Sequence, residues 1–361
     1  MSRAAISLGL ATFATAAFAE PMPEAVKSYG PAEAETSVLV RGTTDIELFE
    51  PVLLEFTEGS GDVRIVYEQW GSNDLYLASE TDCRTGGATA DLVISSSIDQ
   101  QVKLANDGCA APHRSDETTA LPAVSNWRDE VFGTTLEPAV IVYNKALVAD
   151  AEAPRSRFDL IDLLRPEDSR FRGRVATYDI EASGLGYMFA FADAQQATTF
   201  GSLIEAFGRS GAVATCCSST IIDGVASGEF LIAYNVLGSY ALARAQENAD
   251  IVVVAPNDYT LVLSRAALIP KRAAEPEIGG ALIDFLLSDA GRAALRAANL
   301  IVETGGGAQP ALRLPENPDI SLRPIPLSPA LLVGLDQHKR AEFIARWRAT
   351  FPKDVGDAEL P

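Results

Sequence analysis

One unit recurs four times in this chain and constrains its fold more than any other feature: a short apolar run that stops at small polar residues and then turns helical. The copies are Val38-Leu39-Val40 into Gly42-Thr43-Thr44-Asp45, Leu92-Val93-Ile94 into Ser95-Ser96-Ser97, Val175-Ala176-Thr177-Tyr178 into Asp179 through Ser183-Gly184, and Phe230 to Tyr234 into Asn235 through Ser239. A strand that feeds a helix through Ser, Thr, Asn or Gly presents unpaired N–H groups at the positive end of the helix dipole, where anions are stabilised. The same residues are the best N-caps, so plain capping accounts for any single copy. Four such ends converging on one cleft make a site for a small anionic or hydroxyl-rich molecule.

The first nineteen residues carry Arg3, an apolar stretch from Ala4 to Ala16, and Ala17-Phe18-Ala19 before Glu20, the form of a secretory signal. The mature chain is expected to begin near Glu20 and to be soluble and exported. A length of 361 residues exceeds a single core and predicts two lobes. The net charge of −20 argues against nucleic acid or an anionic membrane as partner. It leaves an anionic ligand open, because a nest of N–H groups and one arginine dominate a small closed site. Four cysteines in an exported chain read as disulfides. Cys83 and Cys109, separated by the Ala90 to Ile94 strand and a helix, pair as a structural staple; adjacent Cys216 and Cys217 leave a vicinal bond, two thiols or crossed pairing open.

From Ser37 to about Ala110 strands alternate with helices, the signature of a parallel α/β sheet that binds ligands at the carboxyl ends of its strands. Ala139 to Tyr143 reads as a long extended segment entering a second region, and Tyr259 to Ile269 as a second one returning from it. Two crossings around a middle α/β block describe a discontinuous two-lobe protein that closes by bending at the crossings. The stretch from Gly305-Gly306-Gly307 to Pro329 reads as a surface loop, followed by one final helix to about Ala349 packing through Leu331, Leu335, Ile344 and Trp347.

The chain is poor in catalytic signals. His113 and His338 are the only histidines, neither lies beside a strained nucleophile turn, and HExxH and zinc-type Cys or His spacings are missing. The triple glycine lacks the Lys and Ser/Thr of a P-loop. No cofactor or metal is called for; the reading is a binding protein, not an enzyme.

Val40 to Pro51 (VRGTTDIELFEP), Ala90 to Gln101 (ADLVISSSIDQQ), Tyr178 to Gly186 (YDIEASGLG) and Ala233 to Arg244 (AYNVLGSYALAR), in that order, resemble the periplasmic solute-binding proteins of ABC transporters. The branch is that of ferric-iron binders, hexose-phosphate binders and the phosphoglycerate transport regulatory protein, and the resemblance spans about Ser37 to Trp347. It implies the α/β periplasmic-binding-protein type II fold, two α/β lobes joined by a two-strand hinge. Placed on this chain, lobe 1 is 20–137 plus 263–361 with the C-terminal helices, and lobe 2 is 138–262. It implies a ligand between the lobes at Thr44 and Ser97 of lobe 1 and Ser183, Gly184 and Asn235 of lobe 2. Arg265 on the returning crossing and Arg41 after the first strand are added for bidentate charge, and Tyr234 and Tyr259 for stacking.

The resemblance further implies a monomer in the periplasm that delivers a small phosphorylated or carboxylated solute to an inner-membrane ABC permease. A rival is a sensor docking on a histidine-kinase ectodomain. Ferric members carry a tyrosine pair where this chain has Leu237 and Gly238, which disfavours iron. A periplasmic phosphate-ester hydrolase is the remaining alternative, and it lacks a metal set or histidine nucleophile.

Overall fold

The computed structural model describes residues 21–87, 89–196, 198–302, 312–313 and 321–351. The signal segment and the triple glycine lie outside the described residues. Strands buried on both faces read as unbroken apolar runs in α/β proteins, and this is where Leu92–Ser95, Glu137–Asn144, Val175–Tyr178 and Ile232–Leu237 fall, every residue of each being buried. They sit at the centres of two sheets. The first contains β1 (Ala25–Tyr29), β2 (Thr36–Gly42), β3 (Val63–Gln69), β4 (Leu92–Ser95), β5 (Ala110–Ala111), β6 (Asn126–Trp127), β7 (Val131–Gly133) and β14 (Ala266–Pro270). Its order is β1-β3-β2-β4-β14-β7-β6, with β5 on β14; β2 runs parallel to β3 and β4. The second contains β8 (Glu137–Asn144), β9 (Val175–Tyr178), β10 (Val213–Thr215), β11 (Ile232–Leu237), β12 (Ile251–Val254), β13 (Thr260–Leu263), β15 (Leu312–Arg313) and β16 (Leu322–Pro324). Its order is β10-β9-β11-β8-β12-β15, with β13 on β8 and β16.

The repeated units become strand-to-helix turns as read: β2 into α1 (Ile46–Gly59), β4 into α3 (Ile98–Asn106), β9 into α6 (Gly184–Gln196) and β11 into α9 (Gly238–Glu247). Pro51 lies inside α1 without ending it. Each sheet has its own core, Phe49, Leu53, Ile65 and Leu282 packing in the first and Leu160, Leu203, Phe207 and Ile232 in the second. A third cluster spans both lobes, joining Ile98 and Val102 of α3 to Leu185 and Met188 of α6.

The two crossings are β7 into β8 and β13 into β14. Leu263 pairs with Glu137 in the second sheet and Ala266 with Gly133 in the first, so the hinge lies between these pairs. A third segment runs beside them: Leu136 donates its N–H to Leu300 O at 2.9 Å and Val302 donates to Leu136 O at 2.8 Å. It carries the chain back to the second sheet, where β15 and β16 pair with β12 and β13. The final helix is not one rod. Asp336 ends α12 (Leu332–Leu335) in an extended conformation and caps α13 (Gln337–Thr350) through its side chain. Trp347 and Phe351 then pack with Phe207 of α7 (Thr199–Ser210), and α13 therefore belongs with the second lobe, against the expectation of lobe 1. Its apolar face marked it for burial but did not specify the partner.

Cys83 and Cys109 form a disulfide, tying α2 (Ser72–Thr85) to the residue that precedes β5. Cys216 and Cys217 are joined to each other, and Cys217, with φ of 72°, caps α8 (Ser218–Ser227). That backbone region is unusual for a residue with a side chain.

Candidate functional site: the interlobe cleft

The lobes are closed on one another, and their own side chains bridge the gap. Tyr240 in α9 donates its hydroxyl hydrogen to Asp45 Oδ1 at 2.9 Å and accepts the Asp45 N–H at 3.0 Å. At the other side of the cleft, Asn73 in α2 donates to Glu181 O at 3.0 Å and Ala182 O at 3.1 Å, and Gly184 N–H donates to Ser72 Oγ at 3.0 Å. Gly184 is required for this approach: a Cβ there would stand 2.7 Å from Ser97 Oγ and from Gln100 Nε2, and 2.9 Å from Asn73 Oδ1.

Self-capping does not account for the first two units. α4 (Asp116–Ala120), α5 (Arg157–Leu164), α11 (Asp289–Ala297) and α13 are capped by the side chains of Ser115, Ser156, Ser288 and Asp336. At the cleft, Asp45 of α1 and Ser97 of α3 make no side-chain cap. Thr44 Oγ1 and Ser97 Oγ are buried, with Thr44 1% and Ser97 0% exposed, and neither has a hydrogen-bond partner among the described residues. A buried hydroxyl left unmatched is costly and is rare without a reason. In the third unit capping holds, since Ser183 Oγ accepts the Gly186 N–H at 3.0 Å. Asn235 in the fourth has φ of 62° at the register shift of β11 against β8, and is 5% exposed.

Arg265 sits at the hinge, 1% exposed, with Nε 2.8 Å and Nη2 3.2 Å from the carboxylate of the fully buried Glu137. Thr135 and Ser239 also donate to that carboxylate. Only Nη1 of Arg265 turns toward lobe 1, where Thr43 O and Oγ1 lie 3.4 Å away. Thr43 Oγ1 in turn accepts the Ser96 N–H at 2.9 Å, linking the two helix ends to the hinge arginine. Glu137 brings the Arg265 pKa up further, and burial lifts that of Asp45, against the pull of Tyr240 and Arg265. Tyr178 shares a hydrogen bond with Ser218, and burial pushes its hydroxyl up to about 12.

Three candidate residues are committed elsewhere. Arg41 binds Glu68 at 2.9 Å and Asp82 at 2.7 Å and covers Trp70, so its charge is spent within lobe 1. Tyr234 and Tyr259 both donate to Asp193, which is held by Arg157 at 2.7 Å, and the Arg157 guanidinium lies 3.6 Å from the Tyr259 ring centroid. This is a buried network of the second lobe, and both tyrosine hydroxyls are bonded within it. Sequence reading missed Glu137, Tyr240, Ser72, Asn73 and the lining role of Asp45. Glu137 alone left a trace, as an acidic residue entering an apolar strand.

A fold of two such lobes with polar helix ends facing a hinged cleft defines a solute-binding protein. The family profile described as bacterial extracellular solute-binding protein matches residues 87–325, and the chain belongs to that family. It is 34% identical to the substrate-binding protein of an ABC transporter from Agrobacterium tumefaciens, covering 91% of this chain and 98% of that one with a TM-score of 0.83. Iron-bound HitA from Pseudomonas aeruginosa shares the fold at 18% identity, TM-score 0.66, over 87% of this chain and 99% of that one. AfuA from Actinobacillus pleuropneumoniae, solved with fructose-6-phosphate, does so at 16% identity, TM-score 0.67, over 88% and 99%. No curated protein matches the chain.

Proposed function

We propose that this chain is the exported capture subunit of an ABC permease and works in the periplasm, its cleft closing on a small solute with a phosphate or carboxylate group. The reading is carried by one observation: the buried hydroxyls of Thr44 and Ser97 have no hydrogen-bond partner among the described residues, at two uncapped helix ends linked through Thr43 to Arg265. Charge-assisted hydrogen bonds from such donors net about 1.5 to 3 kcal/mol each. The phenolates that ferric iron favours are absent after Asn235: Leu237 is buried, and a Cβ on Gly238 would touch Pro138. A thermal-shift series of phosphate esters, carboxylates and ferric citrate tests the proposal, since a ligand of the native state alone raises the melting temperature. Stabilisation by esters or carboxylates supports it; stabilisation by ferric citrate alone refutes it. In the host, loss of uptake on deletion supports transport, and intact uptake with lost induction assigns the closed form to a sensor kinase.

A further inference from the structure

We infer that the solute also carries a protonated amine, seated on the Asp45 carboxylate, so that the cleft selects a small zwitterion over a simple anion. This rests on the capture reading above and names the solute class for that site.

The charge balance of the closed cleft leads there. Around the helix ends at its hinge side, the charged groups described above are two carboxylates, Asp45 and Glu137, against one guanidinium, Arg265. Glu137 and Arg265 neutralise each other through two short contacts in full burial. Asp45 is left over. It makes no ion pair among the described residues, and its side-chain partners are the hydroxyls of Tyr240 and Ser219, both from the second lobe. Around it, Arg265 favours its ionised form, while burial and Glu47 of its own helix oppose it. A half-buried carboxylate with no ion pair of its own is costly, and closing the lobes on a simple anion adds a second like charge beside it.

An ammonium reverses both terms. It gives Asp45 the ion pair that no described residue makes with it, and its three donors suit hydroxyl oxygens that have no partner among the described residues. Thr44 is the chain neighbour of Asp45, and its hydroxyl is one of these; Ser97, whose hydroxyl points at Gly184 across the cleft, is the other. The anionic end of the same molecule faces Nη1 of Arg265, whose two 3.4 Å hydrogen bonds to Thr43 are the longest that guanidinium makes among the described residues, and takes their place. Such a solute brings one unit less negative charge into the cleft than its hydroxyl counterpart.

Matched pairs differing only in amine against hydroxyl test this: L-serine with L-glycerate, O-phospho-L-serine with 3-phospho-L-glycerate, and β-alanine with 3-hydroxypropionate. Each is titrated calorimetrically into the full mature chain and into Asp45→Asn, which keeps an acceptor for Tyr240. The inference expects the amine member of at least one pair to bind tenfold or more tighter, and Asp45→Asn to erase that preference while melting no lower than the parent. Equal or tighter binding of the hydroxyl member overturns it, as does a preference that survives Asp45→Asn. If neither series binds, solute carried through purification is released by denaturation and identified by mass spectrometry. A released amine-bearing acid supports the inference; a released compound without an amine overturns it and leaves capture standing. A chain that carries nothing and responds to nothing overturns both.

Discussion

The Tyr240 hydroxyl and the Asp45 main chain and carboxylate exchange two hydrogen bonds, at 2.9 and 3.0 Å, between helices of opposite lobes. The partner that meets this helix end in the closed form is thus a side chain of the protein itself. A hydrogen bond to a charged group nets about 1.5 to 3 kcal/mol, and each 1.4 kcal/mol shifts a two-state population about tenfold. Tyr240→Phe should move the unliganded protein toward an open form, read as a larger radius of gyration in small-angle scattering. An unchanged radius would show that Tyr240 does not hold the lobes.

Gly184 gives the complementary experiment. Its φ is not left-handed, so alanine costs nothing in the backbone and the effect is confined to the clash with Ser97, Gln100 and Asn73. Gly184→Ala should melt within about 1 kcal/mol of the parent, as a Gly-to-Ala helix change implies, yet lose at least about tenfold in solute affinity. Full affinity would mean that closure stops short of the contact seen here.

The Arg157 network separates fold from site. Arg157→Ala leaves the buried Asp193 carboxylate without its cation, and breaking such a pair costs about 3 to 5 kcal/mol. Tyr259→Phe removes one hydrogen bond to Asp193 and should cost about 1 kcal/mol while leaving solute affinity within about twofold. Urea unfolding and calorimetry distinguish the two; a large affinity loss in Tyr259→Phe would return that ring to the ligand set.

How much of this was legible before the structure depends on how local each signal is. The strand-to-helix turns were readable because apolar runs and small polar stops are decided within ten residues. Arg265 was readable as a charge on a crossing strand. Its neutralisation by Glu137 was not, because the two are 128 positions apart and meet only through the antiparallel register of β8 and β13. The commitments of Tyr234 and Tyr259 were hidden for the same reason: their common partners Asp193 and Arg157 lie on helices far away in sequence, while Tyr234 is in β11 and Tyr259 just before β13. The cross-lobe contacts of Ser72 and Asn73 exist only when the cleft is shut, and nothing in a linear sequence encodes that proximity.

Asp99 in the first turn of α3 supplies a pH test. It is 3% exposed and takes the Gln100 N–H at 2.9 Å; burial pushes its pKa up to about 7, with Arg340 the opposing charge. The unfolded value is about 3.9, so between about pH 4 and 7 the folded chain binds the extra proton and stability falls as pH rises, by up to about 1.4 kcal/mol per unit. Asp99→Asn removes that slope. Its melting temperature should exceed the parent's at pH 8 and converge with it near pH 4; a constant difference would refute the assignment.

The third strand of chain past the hinge has a mechanical consequence. Two parallel tethers allow lobes to twist as well as bend, whereas a third one, pinned to Leu136 on both its N–H and its carbonyl, removes much of the torsional freedom. Beyond it, Leu331 and Leu332 rest on the core shared with α3, and α13 grips the second lobe. The described part of the tail thus bears on both lobes at once, like a strap fastened to each jaw, and parting the lobes works against its contacts.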